Sequence, residues 1–308
     1  MHKNPGITDD VSLAVSALRS ANVVAIPTET VYGLAALARD PDAVEKVFVI
    51  KGRPRSHPLI VHVASLEVAT LWGQFNHEAL ILAEHFWPGP LTLLVPRTSI
   101  VPDWVTGGRD TVAIRVPNHP MTLQLLLELN DGVVAPSANK FGKVSPTTAE
   151  HVQQDLGNDV HLILDGGLCD IGVESTIIEC LDEVSILRPG VITPLDVERT
   201  LGLNVLSNMT GPSRAPGMLA SHYAPNARVV LCSTSEEASL LAQECVDKQL
   251  KTFIIDEPNL VTYAHNLYAL LRRADEDECD VVLAVAAPNY GIGIAINDRL
   301  AKASAQRD

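Results

Sequence analysis

Positive charge is what this sequence lacks most. Against 37 Asp and Glu it holds 23 Lys and Arg, a net charge of −14. The deficit is spread along the chain, with 14 basic against 24 acidic residues in 1–200 and 9 against 13 in 201–308. Nucleic-acid affinity comes mainly from cations on phosphates, so neither part reads as a standing DNA- or RNA-binding module. Cysteine is scarce as well: five, at 169, 180, 232, 245 and 279, with no C-x-x-C spacing. That pattern argues against a zinc ribbon or a disulfide scaffold and points to a reducing compartment. Nowhere do about 18 apolar residues run together, as a membrane span requires. The opening MHKNPGITDD lacks the apolar core of a signal peptide, and a cytoplasmic location is expected. Internal repeats and low-complexity segments are absent too.

What the chain does have is length and apolar content for two domains, 308 residues of which 46% are hydrophobic. It is organised around Ile26 to Val63. A β-branched run stops at Pro27, so Thr28, Glu29 and Thr30 fall at a strand's end, where polar groups commonly face a ligand crevice. Asp40 and Pro41 start a helix with Val44, Val47 and Phe48 at helical spacing, and Lys51, Arg53 and Arg55 follow just past it. No acid lies between Glu45 and Glu67. That reversal of sign reads either as a solvated basic loop or as an anion site.

Elsewhere the periodicity predicts helices over 8–20, 66–75, 77–86 and 121–129, and strands over 59–63, 91–95, 111–116, 132–135, 160–164, 172–180 and 184–188. His62 reads on general grounds as a hydrogen-bonded core residue. Arg115 interrupts an apolar strand, and it either meets an anion in a buried strand or stands in water on an edge. Ser137 and Asn139 sit in a PSAN stretch that is a phosphate or sugar cradle or an ordinary turn. Ser145, Pro146 and Thr147 are expected to cap the next helix. Gly211, Pro212, Pro216, Gly217 and Pro225 mark 201–227 as a linker between domains at 8–200 and 228–308. Beyond it, strand, helix, strand, helix, strand in turn predict a small parallel, Rossmann-like sheet. Gly291 and Gly293 read as a structural turn, and the four acids Asp275 to Glu278 as a solvated loop.

The motifs PTETVYGL, KGRP followed by HPLIVH, WPGPLTLL, VAIRVPNHP, APSANKFGKVSPTTAEHV, GVEST and ILRPG, in this order, resemble those of the YrdC-like threonylcarbamoyl-AMP synthases. The later APGMLASHYAP resembles the family's two-domain form, so the resemblance spans essentially the whole chain. It implies an α/β fold: a mixed, twisted N-terminal sheet with packed helices, plus the small C-terminal Rossmann-like parallel domain. It also implies a nucleotidyltransferase that makes L-threonylcarbamoyladenylate and pyrophosphate from L-threonine, bicarbonate or CO2, and ATP with Mg2+, for threonylcarbamoyladenosine in tRNA. The expected partners are the downstream tRNA threonylcarbamoyl-transfer proteins, with neither strong autonomous tRNA binding nor a membrane.

Residue by residue, the resemblance implies threonine contacts at Thr30, His62, Arg115, the Ala135 backbone and Ser175. It implies ATP contacts at Arg53, His57, Thr111, Ser137, Ser145, Arg188 and Tyr223, with Lys51 and Asn139 beside them. Lys51 and Arg53 are the expected catalytic cations, and no protein metal site is expected. His57 stands where the family often has asparagine. The SHYAP segment is implied to fold over the crevice and lay Tyr223 against ATP. Two other readings stay open, an RNA-binding module of YrdC type without synthase activity and a related carbamoyltransferase.

Overall fold

The computed structural model describes residues 6–207 and 223–305. Most of the expected linker, with its Gly211, Pro212, Pro216 and Gly217, lies outside the described residues, as does the SHYAP segment up to His222.

The larger part is built on one mixed sheet. Across it the strands run Gly6–Thr8, Leu162–Leu164, Val24–Ile26, Gly33–Leu37, Val133–Val134, Ile60–His62, Thr111–Arg115, Leu91–Pro96, Thr176–Cys180, Val184–Arg188 and Leu206–Ser207. Parallel and antiparallel neighbours alternate irregularly, and both faces are covered. Side chains alternate between the faces with the pleat. Val23, Ala25, Leu34 and Ala36 enter one core, and Val24, Ile26 and Ala35 enter the other with the helices Val11–Arg19 and Pro120–Leu129. The last strand, Leu206–Ser207, lies inside the expected linker and extends the sheet edge beside Ser185 and Ile186.

Helix starts follow the capping chemistry. Asp10 accepts from the backbone N–H of Ser12 at 2.8 Å, and Asp40 from those of Asp42 and Ala43 at 3.0 Å, ahead of the helix Pro41–Lys51. Gly52, at φ 64°, ends that helix in the left-handed conformation that glycine adopts without steric cost. One expected cap is corrected. Thr148, and not Ser145 to Thr147, caps the helix Ala149–Leu156, because Ser145 is fully buried with its hydroxyl spent on Glu174.

The small domain has three parallel strands in the order Arg228–Cys232, Val281–Val285, Thr252–Ile255, with the helices Ser235–Asp247, Leu260–Glu276 and Gly293–Ser304. The acidic run is corrected too. The middle helix continues through Glu276, and Asp275 accepts from the backbone N–H groups of Asn226 and Ala227. Among the described residues no helix is long and apolar enough to cross a membrane.

Candidate active site

Strand ends bring the polar residues together. His62 and Arg115 end adjacent parallel strands in register, Ala135 follows the neighbouring strand Val133–Val134, and Ser175 precedes Thr176–Cys180. A shift of register between Ile186 and Arg188 breaks the ladder where Arg188 turns inward, a common use of a bulge beside a site. The resulting cleft is lined by Thr30, Arg53, His62, Arg115 and Ala135. Ser137, Ser175, Arg188 and Tyr223 complete the set of expected residues on its wall.

Arg53 and Arg188 are both buried, and Arg53 is only partly satisfied. Arg53 donates from Nη2 to Pro58 O at 2.9 Å and lies 5.7 Å from the Phe141 ring, while its Nε has no hydrogen-bond partner. Burial brings its pKa down to about 10. A desolvated guanidinium with an idle donor is the kind of group an incoming anion relieves. Arg188 donates from Nε and Nη2 to Ser175 O at 3.0 and 2.9 Å, and burial lowers its pKa as well. Ser175 Oγ shares a 2.8 Å hydrogen bond with Thr92 Oγ1.

Arg115 stands in an internal strand and is buried, so the edge-strand alternative is excluded. Its Nη2 lies 2.8 Å from Glu29 Oε1 but is not aligned as a hydrogen bond, and both carboxylate oxygens of Glu29 are buried without hydrogen-bond partners. The charges are balanced while directional bonding capacity is left over. Beside it His62 is held neutral, its pKa pushed down to about 3 by burial and then by the Arg115 charge. Thr28 Oγ1 bonds Thr30 Oγ1 at 2.9 Å and donates to Val31 O at 2.6 Å, which fixes the turn carrying Thr30.

The remaining expected residues stand off the cleft wall. Lys51 is buried, but its Nζ donates to the backbone carbonyls of Ser137 and Asn139, which braces the PSAN loop from behind. Burial pushes its pKa well down. Asn139 clasps the same loop through Nδ2 to Lys140 O and Lys143 O at 2.9 and 2.8 Å. His57 is half-buried with its ring 5.6 Å from Phe141, and its pKa is lowered by burial, then by Arg53 and Arg109. Thr111 begins the strand that Arg115 ends, roughly 13 Å away at the usual strand rise. Arg55 does not join Lys51 and Arg53. It is exposed and paired with Glu45.

Glu174 belongs to the wall and carries no assignment from the sequence. Its Oε1 accepts from Ser145 Oγ at 2.6 Å, and its Oε2 from Tyr268 Oη at 2.7 Å and Arg299 Nε at 2.9 Å. Burial alone would raise this carboxyl, but Arg299, Arg188 and the two hydroxyls outweigh it and hold the pKa at about 2. Tyr223 is not exposed as a linker residue would be. It stacks on Tyr268 with centroids 5.6 Å apart, under the Arg299 guanidinium at 5.5 Å.

Two family profiles cover the chain. The one described as telomere recombination, for Sua5, YciO and YrdC proteins, matches residues 16–190. The one described as the C-terminal domain of threonylcarbamoyl-AMP synthase matches residues 182–305. The chain belongs to the Sua5/YciO/YrdC family, in its two-domain form.

Among its relatives in this family, the threonylcarbamoyl-AMP synthase of Bacillus subtilis is 41% identical over 97% of this chain and 95% of its own length. That of Pyrococcus abyssi is 39% identical over 96% of this chain and 94% of its own. The crystal structure of P. abyssi Sua5 complexed with L-threonine superposes with a TM-score of 0.92 at 37% identity, covering 96% of this chain and 94% of that one. Membership in the Sua5/YciO/YrdC family at this level makes the chain an enzyme of the nucleotidyl-transferring kind. Among the described residues no group of three or more His, Cys, Asp or Glu is placed to hold an ion, and the Glu174 oxygens are already engaged.

Proposed function

We propose that the chain is a threonylcarbamoyl-AMP synthase, forming L-threonylcarbamoyladenylate and pyrophosphate from L-threonine, bicarbonate or CO2, and ATP. The observation that carries this reading is the burial of three guanidiniums, Arg53, Arg115 and Arg188, around one cleft of a net-acidic chain. Two anionic substrates, an amino-acid carboxylate and a nucleotide triphosphate, match that wall.

Threonine would lie by Thr30, His62, the Ala135 backbone and Ser175, with its carboxylate on the bonding capacity that Arg115 keeps. The neutral His62 accepts or donates one hydrogen bond without adding charge beside Arg115. The nucleotide would lie by Arg53, Ser137, Arg188 and Tyr223. Lys51, Asn139 and Ser145 act from behind by holding the loops that carry these groups. His57 and Thr111 would touch ATP only across a longer reach. Mg2+ would arrive on the phosphates, which with water satisfy most of its octahedron.

The neutral threonine amine forms a C–N bond to CO2 as one C–O π bond opens, and the proton lost from nitrogen passes to water, leaving the carbamate; from bicarbonate the carbamate forms with loss of water. A carbamate oxygen then bonds the α-phosphorus as the bond to pyrophosphate breaks. Such a transfer needs alignment and charge neutralisation more than a protein nucleophile. The adenylate would pass to downstream tRNA threonylcarbamoyl-transfer proteins, and the acid excess speaks against tight tRNA binding by the chain alone. The test is pyrophosphate release in the absence of tRNA, expected only when threonine and bicarbonate are both present. Release that ignores either one, or that needs carbamoyl phosphate, would overturn the reading.

A further inference from the structure

The small domain reaches the cleft at several points. Its core contains Val31, Val144 and Val173, three valines that belong to the large part's loops, packed with Tyr263, Leu267 and Leu271. Each stands next to a polar site group: Val31 after Thr30, Val144 before Ser145, Val173 before Glu174. The loop at 170–175 is shaped further by the helix Leu260–Glu276. Asp170 O is 2.9 Å from His265 Nδ1, and Gly172, at φ 83°, lets the helix backbone approach so closely that a Cβ there would lie 2.3 Å from His265 O.

Arg299 and Tyr268 complete the connection. Arg299 is fully buried and bridges two cleft strands' ends, with Nε on Glu174 and Nη1 on Pro189 O, both at 2.9 Å. Pro189 follows Arg188, and Glu174 precedes Ser175. Tyr268 donates to Glu174 and carries the stacked Tyr223 ring. A buried ion pair such as Glu174 with Arg299 adds little net stability, because desolvation offsets the attraction. Its geometric effect is large: it fixes where Ser145, Glu174, Arg188 and Tyr223 stand relative to one another.

We infer that Arg299 and Tyr268 are positioning residues for the nucleotide half of the cleft, supplied by the small domain. The inference rests on the function proposed above. It deepens that reading by assigning the second domain a part in ATP affinity, while threonine is held by the large part.

The test compares the full chain with Tyr268→Phe, which deletes one hydroxyl and keeps the stack, and with Arg299→Lys, which keeps the charge and loses the bridge. KM for ATP should rise about tenfold or more, the size of one hydrogen bond to a charged group. KM for threonine should rise by less, since Arg299 and Tyr268 bond Glu174 directly and reach the threonine contact Ser175 only through the backbone that follows it. Thermal unfolding of each variant serves as the control, and Tyr268→Phe keeps the test open if Arg299→Lys does not fold. Unchanged ATP dependence in a folded Tyr268→Phe would overturn the inference. So would equal losses toward both substrates that track the folded fraction, because those report only stability. If the parent released no threonine-dependent pyrophosphate, the functional reading would fail first. Calorimetric titration with a non-hydrolysable ATP analogue would then make the same comparison of variants without turnover.

Discussion

His62 shows how a single residue's environment becomes a measurable property. Its imidazole is neutral in the folded chain with a pKa of about 3, against an ordinary 6.5 once unfolded. The unfolded state therefore binds a proton first as pH falls. The stability that this burial leaves intact above about pH 6.5 is lost below it, at about 1.4 kcal/mol per pH unit. Chemical denaturation of parent and His62→Gln at about pH 6.5 and about pH 5 should show the parent losing about 2 kcal/mol more than the variant. Equal losses would mean that the ring is protonated in the folded protein. Arg115 was legible in the sequence as an anomaly, one cation inside an apolar strand. Glu174 and Arg299 were not: Arg299 stands four residues after Ala295 and three after Ile296, on the core face of a terminal helix, but an arginine there ordinarily reaches out to water along its apolar stem. Only tertiary packing, which no local pattern encodes, makes the pair fully buried.

At the scale of elements, the helix Pro41–Lys51 is written in the sequence from cap to cap: Asp40, Pro41, the apolar stripe and Gly52. What it delivers is less obvious, because Lys51 and Arg53, two residues apart, have opposite duties. Lys51 ties the helix end to two carbonyls of the PSAN loop, whereas Arg53 keeps an idle donor at the cleft. Lys51→Met should lower stability by about 2–4 kcal/mol, since two buried carbonyls lose their donor. Arg53→Met should weaken ATP binding with its unfolding midpoint unchanged or raised, because a sparsely bonded buried charge is removed. Denaturation and nucleotide titration of both variants check this, and a reversed pattern would exchange the two roles. The strand Gly33–Leu37 lacks the usual signals of its type. Its GLAAL has neither alternation nor β-branched residues, and it forms because strands on both sides pair with it. The helix Pro194–Leu201 carries its signature in plain view, a Thr193 and Asp196 capping box closed by Gly202, but it buries little apolar surface to accompany it.

At the scale of the whole molecule, the two sheets are separate and the packing between them is not. Arg272 pairs with Asp155 and bonds the carbonyl of Val144, and the three valines leave the large part's loops for the small domain's core. Heating should give one heat-capacity transition with calorimetric and van't Hoff enthalpies in agreement, as for a single cooperative unit. Two resolved transitions would show that the contacts between the parts do not couple their folding. The strand–helix alternation made the second domain's architecture legible in the sequence, but its docking depends on Val31, Val144 and Val173, which look like any apolar residue in a loop. The same three valines bear on heredity. Mutations that enlarge or empty the space around Ala264 and Leu267, both wholly enclosed in the second domain, reach the cleft through them. A screen of random mutants for folded protein with lost turnover would therefore recover changes there, scattered far along the gene from the codons of the residues that line the cleft.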